Sequence, residues 1–465
     1  MKPLSVHEIR DAVHGRLLSA QPTGLSVLSV CTDTRRMEHS SLYIAIKGDN
    51  FDGHHFLPAA AAGGAIAALV QDIPADSPPN VTLIQVPDTR AAMGKLATFV
   101  RRQMRAKVIG VAGSNGKTST KHLIQSALCG KLRGTISPKS FNNDIGVPLS
   151  IFPADPNQDY LVLEMGTNHH GEIRKLTEMA QPDIAVITNC GAEHLEFLDD
   201  LAGVRRENAS LIAGLNPKGL LVVNGDDPDL LAAVARYPGK RLTFGFSPTN
   251  DLFAADVQCT AEGVSFQLNS SRRTIFVPML GRHTAANALA AIAVARSMGV
   301  AEDLIYETLS HATGPDWRLQ LQQVGNFSVL NDAYNANPNS MRAALETVRD
   351  LQTPGRRIAV LGDMRELGES SDQYHREIGQ FAAECRFDVL YCVGPKSKLI
   401  AESAAAAGMK KPKITHFKSA ADCAAVIRRR LRRSDLVLLK ASRSIRLETV
   451  ATAIATPPTA RKLAS

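Results

Sequence analysis

Four runs of near-continuous apolar residues, each ending in polar ones, constrain this chain most: VIGVAG, YLVLEMG, DIAVITN and GLLVVNGDD, between residues 108 and 227. Helical stretches separate them. Apolar strands alternating with helices predict a parallel sheet buried on both faces. Ligands of such sheets bind at the carboxyl ends of the strands, and Gly113, Glu164, Asn189 and Asp226 fall there. The pattern returns in SVLND, RRIAVLGDM, DVLYCVG and DLVLLKAS, between residues 328 and 442, which predicts a second, smaller Rossmann-like sheet.

Ahead of both, SLYIAIKG (41–48) and VTLIQV (81–86) read as strands. The Ala-rich stretch 57–68 reads as a helix, and so does 90–104, which turns basic at its end. A length of 465 residues suits several domains. The expected organisation is α/β with three domains. These are a small α/β N-terminal domain (1–104), a central parallel-sheet domain (105–316) and a C-terminal Rossmann-like domain (317–465). TGPDWR (313–318) is the expected hinge, and the closing TPPTARKLAS reads as disordered.

Composition narrows the class. Apolar content of 44% and charged content of 21% are ordinary for a soluble globular protein. There is no apolar run of about 18 residues, so no membrane span is expected. The N-terminal stretch lacks a signal-peptide pattern, which points to the cytoplasm. Seven scattered cysteines without a C-x-x-C pair read as reduced, buried thiols. The net charge of +8 raises the question of nucleic acid, but its excess lies in short runs such as RRRLRR (428–433). No nucleic-acid-binding module accompanies it. A solvated helix face is the better reading, and an enzyme handling anionic nucleotides is basic too.

The chemistry starts at GSNGKTS, residues 113–119, between a strand and a helix. A standard P-loop places four residues between its first glycine and Gly-Lys-Ser/Thr. Here Gly113 and Gly116 are closer than that. Backbone N–H groups of Gly113, Ser114, Asn115, Gly116 and Lys117, with the helix start through Thr118 and Ser119, suit phosphate oxygens. Lys117 reaches the outer phosphates, and the Thr118 hydroxyl suits Mg²⁺. Glu164, at the next strand end in EMGTNHHGEI, is a candidate Mg²⁺ ligand, although such a residue also serves as a helix cap or ion-pair partner. His194, in TNCGAEHLEF, lies just past another strand end. Arg318 suits a phosphate and Asp332 ribose hydroxyls, or the two form an ordinary salt bridge. NDAYNANPNS (331–340) is dense in side-chain amides, as a binding loop or merely a turn.

Taken together, GSNGKTS, FNNDIGVP (141–148), EMGTNHHGEI, TNCGAEHLE, GRHTAANALAA, DAYNANP and LLKASR resemble the Mur ligases of peptidoglycan synthesis over nearly the whole chain. The short glycine spacing is that family's form of the loop. NDAYNANPNS with FNNDIGVP resembles the branch that joins D-alanyl-D-alanine to UDP-N-acetylmuramoyl-tripeptide. The resemblance implies an enzyme using ATP and Mg²⁺: the γ-phosphoryl group activates the tripeptide carboxylate, and the dipeptide amine displaces phosphate. It implies Lys117, Glu164 and His194 as catalytic residues, and Thr118, Glu164 and His194 around metal. It places Asn287 on adenine, with Arg318 and Asp332 reaching the nucleotide from the third domain. Thr34, Arg35, Asp49, Asn50, Asp52 and His54 face the UDP portion. Asn142, Asn143 and Asn168 line the muropeptide path, while Tyr334, Asn335 and Asn337 receive the dipeptide. Lys440, Ser442 and Arg443 lie at the last strand end without an assigned role. A monomer suits such a hinged ligase, and no nucleic acid partner is expected.

Two positions depart from the family pattern. Cys31 stands where Ser is usual, in CTDTRRM. Most members carry a lysine fourteen residues after the histidine, carbamylated to supply an anion beside a second Mg²⁺. Here that position is Asn208, in GVRRENASLI. The rival readings are a ligase of the same scaffold adding another amino acid, or a protein that binds nucleotide or muropeptide without turnover.

Overall fold

The computed structural model describes residues 1–18, 24–48, 50–73 and 78–455. Three large sheets organise them, beside a two-stranded pair of Leu4–Ser5 with Ser26–Val27. The first has five strands in the order Arg16–Leu17, Thr82–Gln85, Ala65–Val70, Ser41–Ile44, Ser29–Cys31, the last four mutually parallel. The Ala-rich stretch departs from the expected helix halfway. Leu57–Ala62 is helical, but Gly63 and Gly64 end the helix, and Ala65–Val70 is a central strand. Gly64, at φ +105°, takes a conformation that L side chains rarely adopt. AIAALV is an apolar run too short for its periodicity to separate helix from buried strand.

The central sheet has nine strands. Its parallel part places Lys107–Ala112 between Tyr160–Glu164 and Ile184–Ile187, with Leu220–Asn224 beyond. Ile109, Val111, Val162 and Val186 are fully buried in it. The helix Lys117–Cys129 covers one face through Leu123, Ile124 and Ala127. It packs on His283–Ser297, a helix apolar on nearly every side and buried accordingly.

The third sheet has six strands in the order Gln320–Val324, Phe327–Asn331, Leu436–Lys440, Arg357–Gly362, Val389–Val393, Ile414–Phe417. Only the first is antiparallel to its neighbour. This order sets the end of Leu436–Lys440 beside the end of Phe327–Asn331. Residues 313–318, the expected hinge, join the two larger sheets, and Trp317 lies at φ +59°. Among the described residues no helix is long and apolar enough to cross a membrane. The cysteines are not uniformly buried as expected: Cys385, Cys392 and Cys423 are, while Cys129 is exposed. The stretch 456–465 lies outside the described residues.

Candidate active site

The phosphate loop is built by close approach. Gly113 (φ +129°) leaves no room for a Cβ, which would lie 2.1 Å from Thr188 Oγ1; at Gly116 (φ +81°) a Cβ would lie 2.7 Å from Asn287 Oδ1. The neighbouring strand end holds the loop. Asn115 N–H donates to Asn189 Oδ1 (3.0 Å), Ser114 N–H to the Asn189 carbonyl (2.8 Å), and Thr188 Oγ1 to the Asn115 carbonyl (2.6 Å). Helix Lys117–Cys129 begins at Gly116 with no side-chain cap, leaving its first N–H groups free for an anion. Lys117 Nζ meanwhile donates to the Gly113 carbonyl at 2.5 Å and the Ser114 carbonyl at 3.3 Å.

Thr118 and Glu164 come together as the sequence implied: Thr118 Oγ1 donates to Glu164 Oε2 at 2.9 Å, and both residues are buried. Glu164 has two further partners. Asn142 Nδ2 donates to Oε1 at 3.1 Å. Lys121, fully buried, reaches Oε2 at 3.1 Å and also donates to the carbonyls of Ser137 (2.9 Å) and Lys139 (2.5 Å). Burial, foremost, lowers the Lys121 pKa, against the attraction of Glu164. Sequence reading missed Lys121, although its signal was present: four residues after Lys117, it lies on the same helix flank. A buried carboxylate beside a hydroxyl is a hard-oxygen pair that fits Mg²⁺, an ion usually held by one or two carboxylates plus substrate phosphates. No group of three or more His, Cys, Asp or Glu that would cage a metal occurs among the described residues.

Beside the loop opens a cavity of about 790 Å³ between the central and third sheets, lined by Gly116, Ser119, Asn287, Arg318, Asp332 and Lys440 among others. Asn287 is buried at the cavity wall, and its Nδ2 has no hydrogen-bond partner among the described residues, an orphan donor. Arg318 and Asp332 do not pair with each other. Arg318 stacks over the Tyr334 ring at 4.1 Å. Asp332 is engaged on both oxygens, by Leu319 N–H (3.2 Å) and by Lys440 Nζ (2.5 Å). Burial, ahead of the opposing pull of Asp332, lowers the pKa of Lys440. Lys440 thus gains the role the sequence left blank: it fixes Asp332 and holds the Asn335 carbonyl at 3.1 Å.

His194 lies across the sheet boundary from Glu366, whose Oε2 is 2.5 Å from Nδ1, close but poorly aligned for a hydrogen bond. The imidazole holds the Glu366 carboxyl below its ordinary value. His194 Nε2 lies 4.0 Å from Glu193, which in turn is 4.0 Å from Lys117. A second contact links the sheets at the loop itself. Asn337 Nδ2 donates to Asn115 Oδ1 (2.9 Å), while its Oδ1 accepts from Ser340 N–H and caps helix Pro338–Asp350. Both ends of this amide are engaged within the protein, so Asn337 is a link rather than a free acceptor contact. Tyr334, Asn335 and Asn168 line a neighbouring cavity of about 650 Å³. Ser442 Oγ accepts from Arg365 N–H and donates to the Ala336 carbonyl.

Several expected substrate contacts are structural in this state. Asn143 Oδ1 accepts from Gly146 N–H at 2.8 Å and shapes the start of the next helix. His54 is buried. One ring nitrogen is 2.6 Å from Asp52 and the other accepts from Gln71 N–H, so it presents no free nitrogen. Arg35 is exposed and paired with Asp33, beside Thr34 and the partly buried Cys31, whose Sγ donates to the Asp33 carbonyl. Asn50 is exposed, and Asp49 lies outside the described residues. Asp226, at its strand end, accepts from Phe246 and Ser247 N–H and shapes a turn. Asn208 is buried and donates to the Val204 carbonyl at 3.0 Å. Its neighbour Glu207 accepts from Gly171 and Ile173 N–H.

Family models match in chain order: "Mur ligase family, catalytic domain" over residues 27–101, "Mur ligase middle domain" over 111–295, and "Mur ligase, glutamate ligase domain" over 317–443. A UDP-N-acetylmuramoyl-tripeptide–D-alanyl-D-alanine ligase of Bacillus subtilis is 36% identical, with 96% of this chain and 97% of the relative covered. The protein of that name in Escherichia coli is also 36% identical, covering 98% and 99%. Among solved structures, a MurF from Acinetobacter baumannii superposes with a TM-score of 0.89 at 30% identity, covering 98% of this chain and 99% of that one. A Thermotoga maritima MurF ligase in complex with ADP gives 0.81 at 28%, covering 92% and 97%. With these matches along its length, the chain belongs to the Mur ligase family.

Proposed function

We propose that this protein is an ATP-dependent ligase that adds D-alanyl-D-alanine to UDP-N-acetylmuramoyl-tripeptide, acting in the cytoplasm as a monomer. The observation that carries the chemistry is the Thr118–Glu164 pair beside an uncapped phosphate loop, next to the cavity with the orphan Asn287 amide. Residues 105–316 hold ATP, 1–104 the UDP portion, and 317–465 close over both. ATP phosphates lie on the loop from Gly113 to Ser119. Lys117 leaves its carbonyl contacts to meet the γ-phosphate, and Asn287 meets the adenine.

The tripeptide carboxylate takes the γ-phosphoryl group, giving an acyl phosphate and ADP. The deprotonated dipeptide amine attacks the acyl carbon, the bond to the phosphate oxygen breaks, and inorganic phosphate leaves. Lys117 stabilises charge on the transferring group, a task of position and electrostatics. Mg²⁺ bound by Thr118 and Glu164 would supply further neutralisation of phosphate charge. His194 would be the residue to hold a second metal, which would add to that neutralisation. Arg318, held over Tyr334, faces the nucleotide from the third domain, and Asp332 orients the segment carrying it through Leu319. Incubation with ATP, the UDP-tripeptide and D-alanyl-D-alanine tests the reading. One amide product, one ADP and one phosphate per turnover are expected. Another preferred acceptor, or nucleotide binding with no product, would replace it.

A further inference from the structure

The 650 Å³ cavity is lined by side chains of both signs. Glu193 is the least explained of them. It is only 8% exposed, yet no hydrogen bond reaches its carboxylate among the described residues. Its nearest charged neighbours, Lys117 Nζ and His194 Nε2, are each 4.0 Å away. Lys117 is already bonded to two loop carbonyls. Its carboxylate opens only to the cavity, so a cation or donor there would meet it in a largely dry setting, where such a contact counts for more than at the surface.

Third-domain loops add Arg365 and Arg443 to the lining. The Arg365 guanidinium has no ion pair or hydrogen bond among the described residues, while its backbone N–H is fixed by Ser442 Oγ at 2.9 Å. Arg443 rests on the Trp317 ring at 4.5 Å, and its only ion-pair contact among the described residues is Glu448 at 3.5 Å. Two guanidinium groups mounted this way suit a carboxylate, which arginine binds through paired N–H donors.

We infer that Glu193 receives the ammonium end, and Arg365 with Arg443 the carboxylate end, of a zwitterionic dipeptide acceptor. These three residues then determine acceptor specificity. The assignment rests on the ligase reading above. Its direction follows from Lys117. The amine must reach the carboxyl group activated beside Lys117, and Glu193 is the cavity carboxylate next to that lysine. An extended dipeptide spans about 7 Å at most, a length such a cavity holds.

The test uses the whole protein, ATP, UDP-tripeptide and three acceptor probes: D-alanyl-D-alanine, its C-terminal carboxamide and its N-acetyl derivative. Loss of a hydrogen bond to a charged group corresponds to ~10-fold or more in affinity. Wild-type enzyme should show a KM raised ~10-fold or more for the carboxamide. The N-acetyl compound should inhibit weakly, with an inhibition constant at least ~10-fold above the dipeptide KM. Arg365→Ala and Arg443→Ala should each raise the KM for the free acid and erase its advantage over the carboxamide. Glu193→Gln should raise the KM for acid and carboxamide alike, with the ATP KM and Mg²⁺ requirement unchanged. Equal use of acid and carboxamide by the wild type would overturn the arginine assignment. So would tight inhibition by the N-acetyl compound, or a Glu193→Gln enzyme altered only in Mg²⁺ requirement, for the glutamate; the wild-type probes decide even if a variant fails to fold. A wild type that forms no amide with any acceptor would overturn the ligase reading itself, and the assignment with it.

Discussion

Glu164 and Asp332 make the same kind of contact in two different sheets. Each stands at or just past the end of a parallel strand, and each pairs with a lysine that is essentially unexposed, Lys121 or Lys440. Burial lowers both lysine pKa values, and Arg318 is near enough to add to both shifts. What differs is the remaining partners. Glu164 also accepts from a hydroxyl, Thr118, and a side-chain amide, Asn142. A hydroxyl rotates at little cost and turns a lone pair toward a cation. Asp332 instead accepts from the backbone of Leu319, in the segment that enters the third sheet. The first pair can exchange a donor for a metal without moving the chain, while the second ties down the hinge. A buried ion pair alone therefore says little about function; its neutral partners decide.

The largest expected effect lies outside both pairs. Lys117→Ala removes the mobile positive charge of the phosphate loop and should lower kcat by ~10²-fold or more, as loss of one transition-state donor does elsewhere. Retention of more than a tenth of wild-type kcat would take Lys117 out of the mechanism and leave Lys121 as the working cation.

Next come the two lysines themselves. Lys121→Met and Lys440→Met each strand a buried carboxylate, which costs ~3–5 kcal/mol. Urea unfolding should register both losses. Mg²⁺ with a non-hydrolysable ATP analogue should return much of the stability to Lys121→Met, because a metal on Glu164 replaces the missing charge. It should return much less to Lys440→Met. Equal recovery in the two variants would break the distinction drawn here.

A smaller effect is expected at Asn337, which joins the helix cap of the third domain to Asn115 of the phosphate loop. Asn337→Ala should cost ~1–2 kcal/mol through the lost cap and the unpaired Asn115 amide. Because one end of the link is the loop, the KM values for ATP and dipeptide should rise together. A rise for the dipeptide alone would return Asn337 to the acceptor site.

The sequence revealed these elements unevenly, for physical reasons. Strand-end residues such as Glu164 and Asp332 were legible because apolar runs mark where parallel strands stop. The Asp332–Lys440 pair was not, since 108 residues separate its members and only strand order brings them together. Lys121 was hidden by looking like a surface residue of an amphipathic helix. Glu366 needed the docking of the third domain to meet His194, and Glu193 needed the fold of the central domain to approach Lys117. His54 and Asn143 looked like ligand contacts because short polar side chains serve turns and caps as readily as substrates.

The smallest expected effect is none, and it concerns Asn208. If a carbamylated lysine were needed beside His194, the helix Leu201–Ala209 should present a lysine toward that residue. It contains none: its sequence is LAGVRRENA. Asn208 is buried and bonded to the Val204 carbonyl one turn back, and Glu207 is committed to backbone N–H groups of residues 171 and 173. Neither is free to stand in as an anion at His194. The nearby carboxylates are instead Glu193 and Glu366, the latter contributed by the third sheet. Glu366 faces His194 without any modification, and Glu193 is assigned above to the acceptor, so activity should be indifferent to dissolved CO₂. Rates in degassed buffer, with and without added bicarbonate, should coincide at every Mg²⁺ concentration. A bicarbonate requirement, or a carbamate adduct in the intact mass, would show that a lysine elsewhere is modified.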